Sequence, residues 1–374
     1  MIADIALRLP QAAGAQILAA DSHGQGRTDA SPDLADLLDG IDAWDIAQSG
    51  DWVSFTARLA GHQGNRRFRR HISGGAILAD AAGAVYGILG LGGARATTVL
   101  PRIADFPHHI LAPEDDIGAV GHAGIEPAKA TDKLGLLREM THEALCAEAL
   151  LHWQFEKFEP LRLFVTRVET DQSSSAAALA DGLALANLLQ AARNIKAAAQ
   201  TMGKPAKILA VHLDFAMEMI GGTPTEYRDG MLRVMAQIEQ GFAAAGLDHP
   251  IFVARFDTGS AAIHNSPAIE GQWELGWNHA AHRFIQYAPS YMFALNAHDR
   301  PTEAAQVEMA EMSAAAISAG EAWLCPRLYL AERSQKSSQE ISELLKVMEG
   351  VEIKEGCLLL SFAYLHPRRS FKRL

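Results

Sequence analysis

From residue 161 to residue 303 the chain alternates short apolar runs with amphipathic stretches of helical period, and this alternation constrains the fold more than any other feature. Leu161-Arg162-Leu163-Phe164-Val165-Thr166-Arg167-Val168 reads as a strand, followed by a polar loop from Glu169 to Ser175. A helical pattern runs from about Leu179 to Met202 and is stopped by Gly203, Lys204 and Pro205. Lys207 to Leu213 is the next strand. The next helix covers Thr225 to about Ala245, with Thr223 and Pro224 at its start and Gly246 at its end. Pro250 to Phe256 is a third strand. A Trp-rich helix is then expected over Gln272 to Tyr287, and a fourth strand over Tyr291-Met292-Phe293-Ala294-Leu295. The polar stretch Asn296 to Glu303 opens a helix over Ala304 to Ile317. Strand and helix in turn imply a parallel sheet covered on both faces, joined by right-handed crossovers. Functional groups then belong in the loops beyond the carboxyl ends of the strands.

The flanking segments have a different texture. Residues 1–125 read as a small β-rich domain that serves anchoring or assembly. Ile2 to Leu9 and Asp51 to Leu59 alternate at period two, the latter with Trp52 or Val53 starting one face. Ala76 to Asp80 and Ala84 to Leu89 flank Ala81-Ala82-Gly83 like the arms of a hairpin. Arg66-Arg67-Phe68-Arg69-Arg70 is either an anion-binding patch or an edge strand whose charges discourage pairing with other chains. A connecting helix is expected within 126–160, capped at Thr131 and running to about Trp153, with Leu134, Leu137, Leu145 and Leu151 on its apolar face. The α/β domain covers 161–322. Residues 323–374 form an appendage that contains a helix (Gln339 to Met348), a strand and turn (Val351 to Phe362) and a basic tail.

Composition excludes several functions. The net charge of -11 over 374 residues argues against a nucleic-acid surface and against anionic membranes. No run approaches 18 uncharged apolar residues, so no membrane insertion is expected. No basic segment precedes an apolar core at the start, so cytoplasmic synthesis without a signal peptide is expected. Cys146, Cys325 and Cys357 read as reduced thiols. His142-Glu143 resembles the start of a zinc-protease helix, but position 146 is Cys146 where the second histidine belongs. His108, His109, His122 and Glu114-Asp115-Asp116 read as loop residues, since adjacent histidines do not easily face one ion. No Gly-rich phosphate loop follows any of the strands read here. Neither a metal nor a cofactor is expected.

Four loops should converge at one sheet edge: Thr170 to Ser175, His212 to Phe215, Asp257 to Ser260 and Asn296 to Glu303. Gln172, His212, Asp214, Asp257, Asn278 and Asn296 are the candidate ligand-binding residues there. Trp273 and Trp277 offer aromatic faces, although core packing is favoured for at least one of them. In order and spacing, residues 161–320 resemble the SGNH hydrolases, in particular the branch of sialate O-acetylesterases and other carbohydrate esterases. That resemblance implies a flavodoxin-like α/β fold. It also implies a nucleophile in a Gly-Gln-Ser or Gly-Asp-Ser segment after the first strand, where Asp171-Gln172-Ser173 stands with Asp171 in place of glycine. His212-Leu213-Asp214 stands for a Gln-Gly-Glu-like segment, and Glu226-Tyr227 for a helix that begins near a tyrosine. The closing Asp-x-x-His-Pro corresponds to Ala297 and Arg300, with Pro301-Thr302-Glu303 retained.

Acyl transfer by serine needs a base, and a guanidinium that stays protonated cannot be one. Two readings follow. In the first, the domain is a non-catalytic module that recognises cell-surface polysaccharide. Its β-domain anchors it to a protein partner, as an oligomeric spike or fibre of a phage-like particle. In the second it is an active carbohydrate O-deacetylase in which Ser173 is the nucleophile and His298 a displaced base oriented by Asp299 or Asp257.

Overall fold

The computed structural model describes residues 37–38, 40–59, 64–115, 117–171, 175–215, 222–257, 267–297, 300–332, 351–354 and 357–360. Four strands form an antiparallel sheet in the order β1 (Ala43–Ser49), β2 (Trp52–Ala57), β3 (Arg66–His71) and β4 (Leu78–Ala79). β2 alternates as its sequence requires, and Val53 starts the inward face. Val53, Phe55 and Ala57 pack with Phe68, Leu37 and Leu38 in a small core.

β3 is an inner strand of this sheet rather than an edge, and three of its four arginines form hydrogen bonds or ion pairs within the chain. Arg69 binds Asp80 through Nε at 2.9 Å, Arg67 lies 3.3 Å from the same carboxylate, and Arg70 donates to backbone carbonyls of Leu37 and Gly75. Arg69 also covers the Trp52 ring.

The larger sheet has seven strands. β5 (Val85–Gly92) is central, between β8 (Leu163–Thr170) and β9 (Ala206–Asp214), to both of which it runs parallel. β10 (Ile251–Phe256) and β11 (Phe284–Pro289) continue the sheet beyond β9. On the other side, β6 (Ile110–Pro113) runs parallel to β8, and β7 (Leu134–Leu136) lies antiparallel to β6. The order β8-β5-β9-β10-β11 is the flavodoxin-like 2-1-3-4-5, with β6 and β7 as an insertion at one edge.

Several expectations are corrected here. The segment 84–92 is not a hairpin arm of the small sheet but the middle of the large one, so the α/β sheet recruits strands from before residue 125. Val85-Tyr86-Gly87-Ile88-Leu89-Gly90-Leu91-Gly92 is apolar on both sides, as a strand buried on two faces must be. Its glycines allow close packing; at Gly92 a Cβ would press on the carbonyl oxygen of Asp214. The helix expected from Thr131 instead begins at His142, because the Thr141 hydroxyl caps it and Leu134–Leu136 is used as β7. The Trp-rich helix ends at Trp277. The next strand is Phe284–Pro289 rather than Tyr291 to Leu295, whose first two residues belong to a 3-10 turn, Ser290–Met292.

Helices cover both faces. α1 (His142–Glu156) and α6 (Glu303–Glu332) lie on one side, where Ile88, Phe164, Leu151, Val253, Ala314 and Ile317 interlock. α2 (Ala176–Asp181), α3 (Leu183–Thr201), α4 (Pro224–Ala244) and α5 (Pro267–Trp277) lie on the other, over Leu89, Leu188, Ile195, Val234, Ile238 and Phe252. Gly182 splits the first expected helix into α2 and α3. α4 starts on a capping box: Thr223 accepts from the Glu226 backbone and Glu226 from the Thr223 backbone. The C-terminal strands β12 (Val351–Lys354) and β13 (Cys357–Leu360) pair antiparallel.

Candidate functional site at the carboxyl edge of the sheet

β5, β9, β10 and β11 deliver four charged side chains and their supports to one place. Immediately after β5 the chain makes a 3-10 turn, Ala94–Thr97, that carries Arg95. Asp214 ends β9, Arg255 lies near the end of β10 and Asp257 follows it. Arg95 grips Asp257 with both terminal nitrogens, Nη1 to Oδ1 at 2.7 Å and Nη2 to Oδ2 at 2.8 Å. Its Nη2 also lies 2.6 Å from Asp214 Oδ1. Arg255 stands 3.5 Å from Asp257 and 3.6 Å from Asp214, which makes a set of two cations and two anions with no net charge.

Asp257 is 1% exposed, and its acceptor capacity is full. Oδ1 takes Arg95 Nη1 and the Ser290 hydroxyl (3.0 Å); Oδ2 takes Arg95 Nη2 and the Gln272 amide (2.7 Å). A carboxylate has about four lone-pair positions, and four donors occupy them. Gln272 is itself fixed, since its Oε1 accepts from the Asp257 backbone at 2.8 Å. Burial pushes the Asp257 carboxyl up, but the opposing charge and hydrogen bonds of Arg95, then Arg255 and Gln272, outweigh it and hold the group well below the usual carboxylate range. Tyr227, at the start of α4, donates to the Phe215 carbonyl at 2.6 Å, and burial pushes its hydroxyl far up.

The candidate residues separate. Asp214 and Asp257 belong to this edge. His212 sits deeper in β9 and faces α1 and α6: its Nε2 is 2.6 Å from Ser313 Oγ, its Nδ1 3.5 Å from Glu143, and its ring meets His142 edge-on at 4.6 Å. Serine, imidazole and carboxylate are thus in the order of a catalytic relay, yet they are sealed. Ser313 is fully buried and lies inside α6, whose backbone N–H groups are committed to the helix. Asn278 lies past the end of α5, exposed and near the opening of β11, at the far edge of the sheet from the charged set. Asn296 closes its own loop, donating its N–H to the Arg300 carbonyl at 2.7 Å and accepting the Arg300 N–H at 3.2 Å. Gln172, Ser173, His298 and Asp299 lie outside the described residues.

Both tryptophans are exposed, contrary to the expectation that at least one packs in the core: Trp273 is 55% exposed and Trp277 62%. The buried face of α5 is Ala268, Gly271, Gln272 and Leu275, which places 273 and 277 on the opposite face, one turn apart. Phe256, Trp273 and Trp277 form a line of rings, with centroids 6.0 and 5.7 Å apart.

Sequence reading missed Arg95, Arg255, Gln272 and Ser290. The sequence signal for Arg95 was an apolar run ending in Gly92-Gly93, a strand that stops in a tight turn. Among the histidines read as loop residues, His108 Nδ1 bonds to the Ile77 carbonyl and His109 Nδ1 to the Arg162 carbonyl. Burial lowers His109 to about 4.

No protein-family model and no curated protein sequence matches the chain. Among solved structures it is similar to a carbohydrate acetylesterase from Xanthomonas citri (13% identity, 70% of this chain, 61% of that one, TM-score 0.41). The chain therefore spans about three fifths of that enzyme's length. It is also similar to a GDSL-like lipase structure from Parabacteroides merdae (9% identity, 63% of this chain and 97% of that one, TM-score 0.36). A family two carbohydrate esterase from Clostridium thermocellum, solved with cellohexaose, is similar as well (10% identity, 66% and 68%, TM-score 0.34). The class of fold rests on strand order: an α/β domain of flavodoxin-like topology with a small antiparallel sheet before it.

Proposed function

We propose that this is a non-catalytic SGNH-like recognition module that binds cell-surface carbohydrate, with its four-stranded sheet as the attachment side. The observation that carries the reading is the saturated carboxylate of Asp257. An orienting acid must have a lone pair to offer a histidine, and of the two acids read as orienters Asp257 has all four positions taken by Arg95, Ser290 and Gln272. The segment after the first parallel strand adds support: that strand is β5 rather than β8, so the nucleophile position implied by the resemblance falls at Gly92-Gly93-Ala94-Arg95, which contains no hydroxyl or thiol, and not at Asp171-Gln172-Ser173. Arg300, at the position of that family's base, is an exposed guanidinium. The aromatic line Phe256–Trp273–Trp277 supplies flat apolar faces of the kind on which the C–H faces of pyranose rings stack.

Retention of the full chain on immobilised capsule-type polysaccharides, with Trp273→Ala/Trp277→Ala as the control, tests the reading. Retention by the parent and its loss in the double variant are expected. If neither form is retained, or if the variant is retained as well as the parent, the carbohydrate assignment fails. Hydrolysis of a nitrophenyl acetate that Ser173→Ala abolishes would make the protein a serine-dependent carbohydrate esterase instead.

A further inference from the structure

Away from the carboxyl-edge site, α1 and the loop between β5 and β6 bring together three side chains that the proposed function does not use. Glu148 and His152 stand one turn apart on α1, and Asp105 reaches them from the loop. His152 Nε2 is 2.9 Å from Asp105 Oδ2, and one ligand atom from each of the three residues lies within 4.8 Å of the others. Among the described residues this is the one such group of three. We propose that Asp105, Glu148 and His152 bind a divalent transition-metal ion of the zinc type.

Five features support the assignment. One imidazole and two carboxylates are donors that zinc accepts, and an i, i+4 pair on a helix with a third ligand from a loop leaves the remaining positions to water. Glu148 has a side chain 6% exposed, while those of His152 and Asp105 are 46% and 57% exposed, so the cluster has a fixed floor and an open mouth. The floor is anchored: Glu148 Oε1 accepts the Asp105 backbone N–H at 2.7 Å and Arg102 Nη1 at 3.1 Å, and Oε2 accepts Arg102 Nη2, so three of its about four lone-pair positions are used and one on Oε2 remains for an ion. The His152 ring is held edge-on to Phe106 at 4.9 Å, which sets its plane. With Arg102 counted, the set carries one net negative charge when the imidazole is neutral, and a dication leaves it at one positive rather than raising an existing positive charge. An ion there would clamp the loop carrying Asp105 and Phe106 onto α1.

The competing account is an ordinary ion-pair network, and metal titration separates the two. Zn²⁺ is titrated into the metal-free full chain by calorimetry at pH 7.5, and Co²⁺ is followed by its visible absorption. One ion per chain is expected, with affinity at least tenfold weaker in His152→Ala and in Asp105→Asn. Far-ultraviolet circular dichroism of both variants establishes that they are folded; if His152→Ala is not, His152→Gln replaces it. Absence of saturable binding, or binding unchanged in both variants, overturns the proposal.

Discussion

Replacing Arg95 by methionine tests the charged set most sharply. The substitution keeps the length of the side chain but removes two hydrogen bonds to Asp257, at 2.7 and 2.8 Å, and the 2.6 Å ion pair to Asp214. Asp257 stays 1% exposed, with Arg255 no nearer than 3.5 Å. Breaking a buried pair by removing one partner costs about 3–5 kcal/mol, because the remaining charge stays out of water.

The pH dependence follows from the direction of the Asp257 shift. In the parent, the folded-state carboxyl is held below its unfolded value, so its contribution is present above the unfolded pKa and fades as pH falls through the folded one. Without Arg95, the two largest influences that oppose burial are gone and the carboxyl moves up. The variant then gains relative to the parent as pH falls, since protonation discharges the stranded group. Urea unfolding at pH 7.5 and pH 4.5 measures both effects: a deficit of about 3–5 kcal/mol is expected at the higher pH and a clearly smaller one at the lower. A deficit below about 1 kcal/mol at pH 7.5, the range of an exposed pair, would show that Arg95 and Asp257 do not form a buried pair. So would a deficit that does not change with pH.

Three further outcomes are expected. Gly92→Ala should destabilise by about 1–3 kcal/mol, as overpacking does, because the added carbon presses on the Asp214 carbonyl; a neutral result in chemical unfolding would contradict the packing at the head of β5. Trp273→Ala should leave stability within about 0.5 kcal/mol, as for other exposed positions, while weakening polysaccharide retention. Burial raises the Glu169 carboxyl despite its 2.7 Å bond to Arg167, so ionising it opposes folding and stability should decline as pH rises through its folded value. Glu169→Gln keeps an acceptor for Arg167 and should flatten that decline; an equally steep decline in the variant would exclude Glu169 as its source.

Much of the sheet was readable from local pattern alone. β8, β9 and β10 are apolar runs separated by helices of ordinary length, and Ala206–Asp214 and Ile251–Phe256 lie within a residue of the expected strands. β5 was misassigned because three glycines in eight residues suggest a turn-rich segment. Its role as central strand depends on partners that follow it by about 80 and 120 residues, a pairing no local window contains. β11 was displaced because Phe284-Ile285-Gln286-Tyr287 follows a Trp-rich helix and shares its helical spacing.

At the site, Asp214 and Asp257 were legible as acids at strand ends. Their neutralisation was not, since Arg95 stands 162 residues from Asp257 and meets it only once β5 takes the middle of the sheet. His212 looked equivalent to Asp214 because both fall in one strand-end segment. Depth along β9 separates them: one reaches the edge and the other ends in a closed polar cluster with Ser313 and Glu143.

We propose that this α/β edge, with Asp257 held in a closed ion-pair set, does no acyl transfer. Proton NMR of O-acetylated polysaccharide incubated with the full chain at micromolar concentration tests it directly, through the appearance of the free acetate signal. An acetate signal no greater than that of the buffer control is expected, alike for the parent and Ser173→Ala. Sustained acetate release by the parent, lost in Ser173→Ala, would contradict it.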